Sequence, residues 1–186
     1  MVNFLFNFLT PAVFYLSFKL LGAKPAIAFA VSVSVFQFLF YRIMQIKISP
    51  FFIIAAGFTV LFGSIDLMIH TPRFFKLEPF AQNFIMGILF LISTLTKKPV
   101  IYYFAHSLPE LLKSEMKSIL NDLGYLKKIT WVWSIYFFIK AFLFLFLAFQ
   151  VDLGKLIVLR TLIGGPTLLL MVGGEIVIRK IRQKKA

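Results

Sequence analysis

The sequence predicts an all-α fold, a polytopic helical membrane bundle of six spans with one amphipathic helix lying on the cytoplasmic membrane surface. Three observations carry that expectation: an apolar composition, apolar runs long enough to cross a bilayer, and basic residues that alternate from side to side of those runs. Of 186 residues, 60% are hydrophobic, 25 are Phe and only 15% are charged, against roughly 25% charged in soluble domains. Such a chain lacks the polar residues to cover a soluble globule of its size. The net charge of +13 would suggest nucleic acid in a soluble domain, but here the charges sit between apolar runs, so no nucleic-acid partner is expected. With no cysteine, a disulfide framework, a thiolate metal site and a cysteine nucleophile are excluded.

A spanning helix needs about 20 mostly apolar residues at 1.5 Å each. Six runs qualify, at about 4–21, 25–41, 51–69, 80–96, 130–149 and 156–178. They fill most of residues 1–186, which reads as a single transmembrane domain without a separate soluble part. The first run contains Asn7, Thr10, Pro11 and Lys19; a re-entrant or interfacial helix is the alternative there, leaving five spans. No Lys or Arg precedes it, so it is kept as mature sequence.

Between the fourth and fifth runs, Leu108, Leu111, Leu112, Met116, Ile119, Leu120 and Leu123 recur at three and four, placing an apolar stripe on a helix over 108–123. Ser107 with Glu110 reads as its capping box, Pro109 suits its first turn, and Gly124 reads as its C-terminal stop. With both termini cytoplasmic, thirteen of the twenty Lys and Arg residues fall on the cytoplasmic side, five of them in the tail 179–186. Lys24, Arg73, Lys76 and Lys155 fall opposite. That asymmetry is the positive-inside pattern.

Charges inside spans cost about 2.5–3.5 kcal/mol each at the bilayer centre, so they are the natural candidates for function. Counting along the runs puts Asp66 roughly 22 Å from the inner edge and Arg160 roughly 6 Å below the outer edge. Lys19 reaches a similar level, with His70 just above it. The expected arrangement is an outer-leaflet cluster in which Asp66 lies between Arg160 and Lys19. Lys140 falls near the middle of the fifth run at the depth of Gln37; it hydrogen-bonds inside the bundle, lines a small wet cavity or snorkels. Glu175 and Arg179 have the spacing of a helix salt bridge. Ala26, Ala30 and Ser34 form a small-residue stripe that lets another helix approach, and Gly164-Gly165-Pro166 should loosen or kink the last span.

No HExxH, GxSxG, P-loop or Mg²⁺-binding acidic cluster is present. His70 and His106 fall on opposite membrane sides. Catalytic residues, a metal and a cofactor are therefore not expected.

Several stretches together resemble the intracellular septation protein A family of bacterial inner-membrane proteins. They are Phe62-Gly63-Ser64-Ile65-Asp66-Leu67-Met68-Ile69-His70 followed by Phe74, Phe75, Lys76 and Pro79; Lys97-Lys98-Pro99-Val100-Ile101; Trp133 with Phe137 and Phe138; and Arg160. Ser64 stands where the family has a second glycine, Glu78 where it has a second lysine, and Asp66 where it usually has an uncharged residue. The pattern is that of a divergent member. The resemblance implies a multi-pass inner-membrane protein supporting envelope synthesis, septation and membrane integrity through contacts with other membrane proteins, with a homo-oligomer as a further option. It carries over His70, Lys76, Lys97, Lys98, Pro99 and Arg160 as contact or structural residues. The rival reading is a small transporter or lipid-handling protein that binds an anionic headgroup or solute at Lys140 or at the cluster of Lys19, Asp66 and Arg160.

Overall fold

A computed structural model describes residues 2–46, 48, 50–70, 73–107 and 122–183. The described residues form seven helices: α1 (Val2–Leu21), α2 (Ala23–Ile43), α3 (Pro50–Ile69), α4 (Arg73–Leu95), α5 (Val100–Ser107), α6 (Leu123–Gln150) and α7 (Leu153–Gln183). Five are long and apolar enough to cross a membrane: α2, α3 from Phe52, α4, α6, and α7 as far as Glu175. The first predicted run supplies a shorter apolar helix, Ala12–Leu21. The expected amphipathic helix over 108–123 lies, but for its last two residues, outside the described residues.

The chain divides into two compact units, Met1–Gln82 with Leu143–Gly165, and Asn83–Phe142 with Pro166–Ala186. In the first, α1 and α2 are joined by Gly22 alone, at φ 86° and ψ −174°, a conformation essentially confined to glycine. The predicted small-residue stripe is the buried seam of α2: Ala26, Ala30 and Ser34 are buried, and Ile27, Gln37 and Tyr41 extend the same face. Against it packs α3 at Gly63, where a Cβ would lie 2.5 Å from Val31 Cγ2 and 3.3 Å from Ile27 Cγ2. Both neighbours are β-branched and stiff in a helix. Gly63→Val should therefore force α2 and α3 apart and cost about 1–3 kcal/mol, measured as a lower unfolding midpoint of the purified protein. Unchanged stability would mean the helices do not approach closely there.

The core of this unit gathers Phe14, Ile27, Phe75, Leu153 and Ile157, with the Phe14 ring stacked on Phe18 and Phe75 at 5.9 and 5.3 Å. A neighbouring cluster of Phe144, Ala148 and Leu156 packs against Leu77 and Ile163.

In the second unit, aromatic rings fill the space between α4 and α6: Phe90 lies 5.1 Å from Phe137 and 6.3 Å from Trp133, and Phe84 lies 5.6 Å from Phe138. The helices come close enough for Ser134 Oγ to donate to the Gly87 carbonyl at 2.8 Å. Such a bond between helices satisfies a hydroxyl that lipid could not.

Several helix boundaries differ from the sequence expectation. The fourth span was expected from Phe80, yet α4 begins at Arg73 and carries Pro79 inside it. Pro79 forfeits the bond to the Phe75 carbonyl but does not end the helix. Gly124, expected as a C-terminal stop, is instead the second residue of α6. Asp122 explains the reversal: its carboxylate accepts from the Tyr125 N–H at 2.9 Å, which makes it the N-cap of a new helix. Finally, the last span was expected over 156–178, whereas α7 runs from Leu153 to Gln183 with Pro166 inside it.

Candidate functional site

The seven-residue earlier start of α4 brings Glu78 into the second turn of a membrane-crossing helix, where its side chain is fully buried. An isolated carboxylate there would be expensive. It is not isolated. Arg160 of α7 grips it with both guanidinium nitrogens: Nη1 donates to Glu78 Oε2, and Nη2 to Oε1 at 3.0 Å. The same Nη2 donates to Gln82 Oε1 at 2.8 Å. Gln82 is four residues after Glu78, one helical turn along the same face. From α3, the Thr59 hydroxyl lies 3.2 Å from Glu78 Oε1 and 3.0 Å from the Ala55 carbonyl, with one proton to share between them. Three helices of the first unit are thus tied at one buried carboxylate, in the bidentate geometry that suits arginine and not lysine.

This is a correction to the expected cluster of Asp66, Arg160 and Lys19. With the fourth span started at Phe80, Glu78 falls outside the bilayer and Asp66 is the carboxylate whose counted depth matches that of Arg160. The structure gives Asp66 another task. Its Oδ1 accepts from the Phe74 N–H at 2.9 Å and its Oδ2 from the Phe75 N–H at 2.7 Å. A buried side chain at the end of α3 thereby caps the first turn of α4. His70 closes α3 in the left-handed region at φ 62°, with Nδ1 2.9 Å from the Met68 carbonyl oxygen. His70 is exposed and Lys76 half-buried.

Lys19 lies elsewhere, on a groove of about 510 Å³ where the end of α1 meets the start of α7. Tyr15, Phe18, Val158, Asp152 and Lys155 line it with Lys19. Asp152 caps α7 by accepting from the Lys155 N–H at 2.9 Å and pairs with Lys155 Nζ at 3.4 Å. The backbone bond, before the lysine charge, holds the Asp152 carboxyl below its ordinary pKa.

In the second unit, Lys97, Lys98 and Pro99 form the corner between α4 and α5. Ser93 Oγ accepts from the Val100 N–H at 3.3 Å and Thr96 Oγ1 lies 2.8 Å from the Lys98 carbonyl oxygen. Pro99 is fully buried, whereas Lys97 and Lys98 are exposed. Lys98 Nζ sits 4.7 Å above the Tyr102 ring. Lys140 is half-buried, its Nζ 5.2 Å from the centroid of Tyr136 one turn earlier. Tyr136 in turn bonds Thr167 at 2.9 Å. Lys140 and Gln37 fall in different units. Glu175 accepts from Trp133 Nε1 at 3.2 Å; the side chains of Arg179 and His106 lie outside the described residues. Among the described residues, no group of three or more His, Asp or Glu is placed to hold a metal ion.

Residues 2–183 match the protein family described as Intracellular septation protein A. The chain belongs to this family. Its relatives are distant: an inner membrane-spanning protein YciB of Delftia acidovorans is 26% identical over 187 residues, 98% of this chain and 88% of that protein. The protein of the same description from Paracidovorax citrulli is 26% identical over 73% of this chain and 67% of its own length. That from Acidovorax sp. is 30% identical over 94 residues, half of each chain. No solved structure matches the sequence.

In this septation-family member, the stretch from Phe62 to Pro79 is the α3–α4 corner, where Gly63 permits the helix contact, Asp66 caps and His70 closes. The Lys-Lys-Pro stretch is the next corner, and Arg160 is the clamp. Glu78, Gln82 and Thr59 were missed as site residues. The signal was available in the i, i+4 spacing of Glu78 and Gln82, once the helix is started at Arg73.

Proposed function

We propose that the protein works without catalysis as an inner-membrane bundle, both termini cytoplasmic, that supports envelope synthesis and septation by contacting other membrane proteins. The observation that carries this reading is the family match over residues 2–183. The use of the span charges is consistent with it: Glu78 and Arg160 bind each other and Asp66 binds backbone, which is how a rigid scaffold uses polar groups. A stripe of exposed residues on α6, Trp131, Ile135, Ile139 and Phe142, offers a lipid-facing surface against which a partner helix can pack.

In-cell photocrosslinking from Ile135 and Phe142 tests the reading. It should capture membrane proteins of envelope synthesis or division, and should do so equally with Lys140→Met. Absence of such crosslinks, together with solute, ion or lipid flux in proteoliposomes that Lys140→Met abolishes, would replace the scaffold with a transporter.

A further inference from the structure

We propose that the groove between the end of α1 and the start of α7 holds one anionic phospholipid, its phosphodiester between Lys19 and Lys155 and an acyl chain along Phe18 and Val158. Position is the first argument. Lys19 is the third residue from the end of α1 and Lys155 the third residue of α7. Each lies beside a short turn, Gly22 in one case and residues 151–152 in the other, and helix ends are where a bilayer places its headgroups.

Charge is the second. Lys19 and Lys155 face the groove together with Asp152, which leaves the rim one positive charge in excess, the complement of a single phosphodiester. Asp152 is already counted in that balance: one of its oxygens accepts from the Lys155 N–H and the other pairs with Lys155 Nζ at 3.4 Å, so the charge in excess is that of Lys19.

Shape is the third. At about 510 Å³ the groove lies in the ordinary range of small-molecule sites, roughly 300–1,000 Å³, and apart from its charged rim it is walled by aromatic and aliphatic side chains. Its wall is built closely: a Cβ on Gly154 would lie 2.4 Å from the Phe18 ring, so the glycine lets α7 seat against α1. A free phosphate has no use for the apolar wall, whereas a lipid engages the charged rim and the wall at once.

Native mass spectrometry of the full-length protein, delipidated and then mixed with phosphatidylglycerol or phosphatidylcholine, tests the assignment. One phosphatidylglycerol should be retained in preference to phosphatidylcholine. Lys19→Gln and Lys155→Gln should each weaken retention about fivefold, and the pair about twentyfold, as expected for basic side chains near anionic lipid. Val158→Trp, which keeps both charges but fills the groove, should also abolish it. All three positions are exposed, so lipid-free unfolding midpoints should match the unaltered protein and separate lost binding from lost folding. Equal retention of both lipids, indifference to the double lysine change, or displacement by equimolar glycerol phosphate would each overturn the proposal.

Discussion

Arg160→Met should destabilise the protein by about 3–5 kcal/mol, and adding Glu78→Leu to it should restore most of the loss. The size of the loss depends on which partner is buried. Glu78 is fully buried, whereas the Arg160 side chain keeps 31% of its surface exposed. Removing the arginine strands a carboxylate in an apolar interior with the Thr59 hydroxyl as its remaining hydrogen-bond partner among the described residues, and it must either stay charged at high cost or take up a proton. Removing the glutamate instead leaves an arginine whose long stem can carry its charge outward. Glu78→Leu alone should thus cost less than Arg160→Met alone, and the double variant should be more stable than Arg160→Met, its loss well below the sum of the two single losses. Chemical or thermal unfolding of the four proteins in one detergent measures this coupling. Additive losses would show that the clamp contributes nothing beyond its separate side chains.

Asp66→Ala should cost about 2–4 kcal/mol, because it leaves two N–H groups in the first turn of α4 without their acceptor, one of them buried. Asp66→Asn retains one carbonyl oxygen and should recover about half. The effect should also be local. Hydrogen exchange at the Phe74 and Phe75 amides should quicken in both variants while amides in the second unit keep their protection. A uniform loss, or none at Phe74 and Phe75, would mean that the start of α4 is held by packing alone.

The two sites show where the sequence was readable. The runs that became α2, α3, α4, α6 and α7 were visible because bilayer thickness imposes a length that composition must satisfy, and the α2 stripe was visible because small residues at helical spacing have few other uses. The partner of Arg160 was not, and the reason is specific. Local capping rules look for an N-cap immediately before a helix, and the first turn of α4 is capped at the Phe74 and Phe75 N–H groups by Asp66, eight and nine residues back on the preceding helix. Without that nonlocal bond, Pro79 read as the boundary and Glu78 as a loop residue. Gly124 misled in the opposite way, since a glycine after an apolar stripe fits a helix end as well as it fits the turn after Asp122. The Lys-Lys-Pro corner was found by resemblance, but its bonding through Ser93 and Thr96 depends on side chains that many loops also contain.

Gly22 also bears on how the chain enters its membrane. A single-residue link means that α1 and α2, which pack together through Phe14, Ala26, Ile27 and Ala30, have no connecting loop long enough for one to remain behind while the other inserts. The first helix, burdened by Asn7, Thr10 and Lys19, need not be recognised by the insertion machinery on its own merits. It can partition together with the strongly apolar α2, so that the short apolar helix Ala12–Leu21 reaches the membrane in the same biogenesis step as a helix long enough to span it.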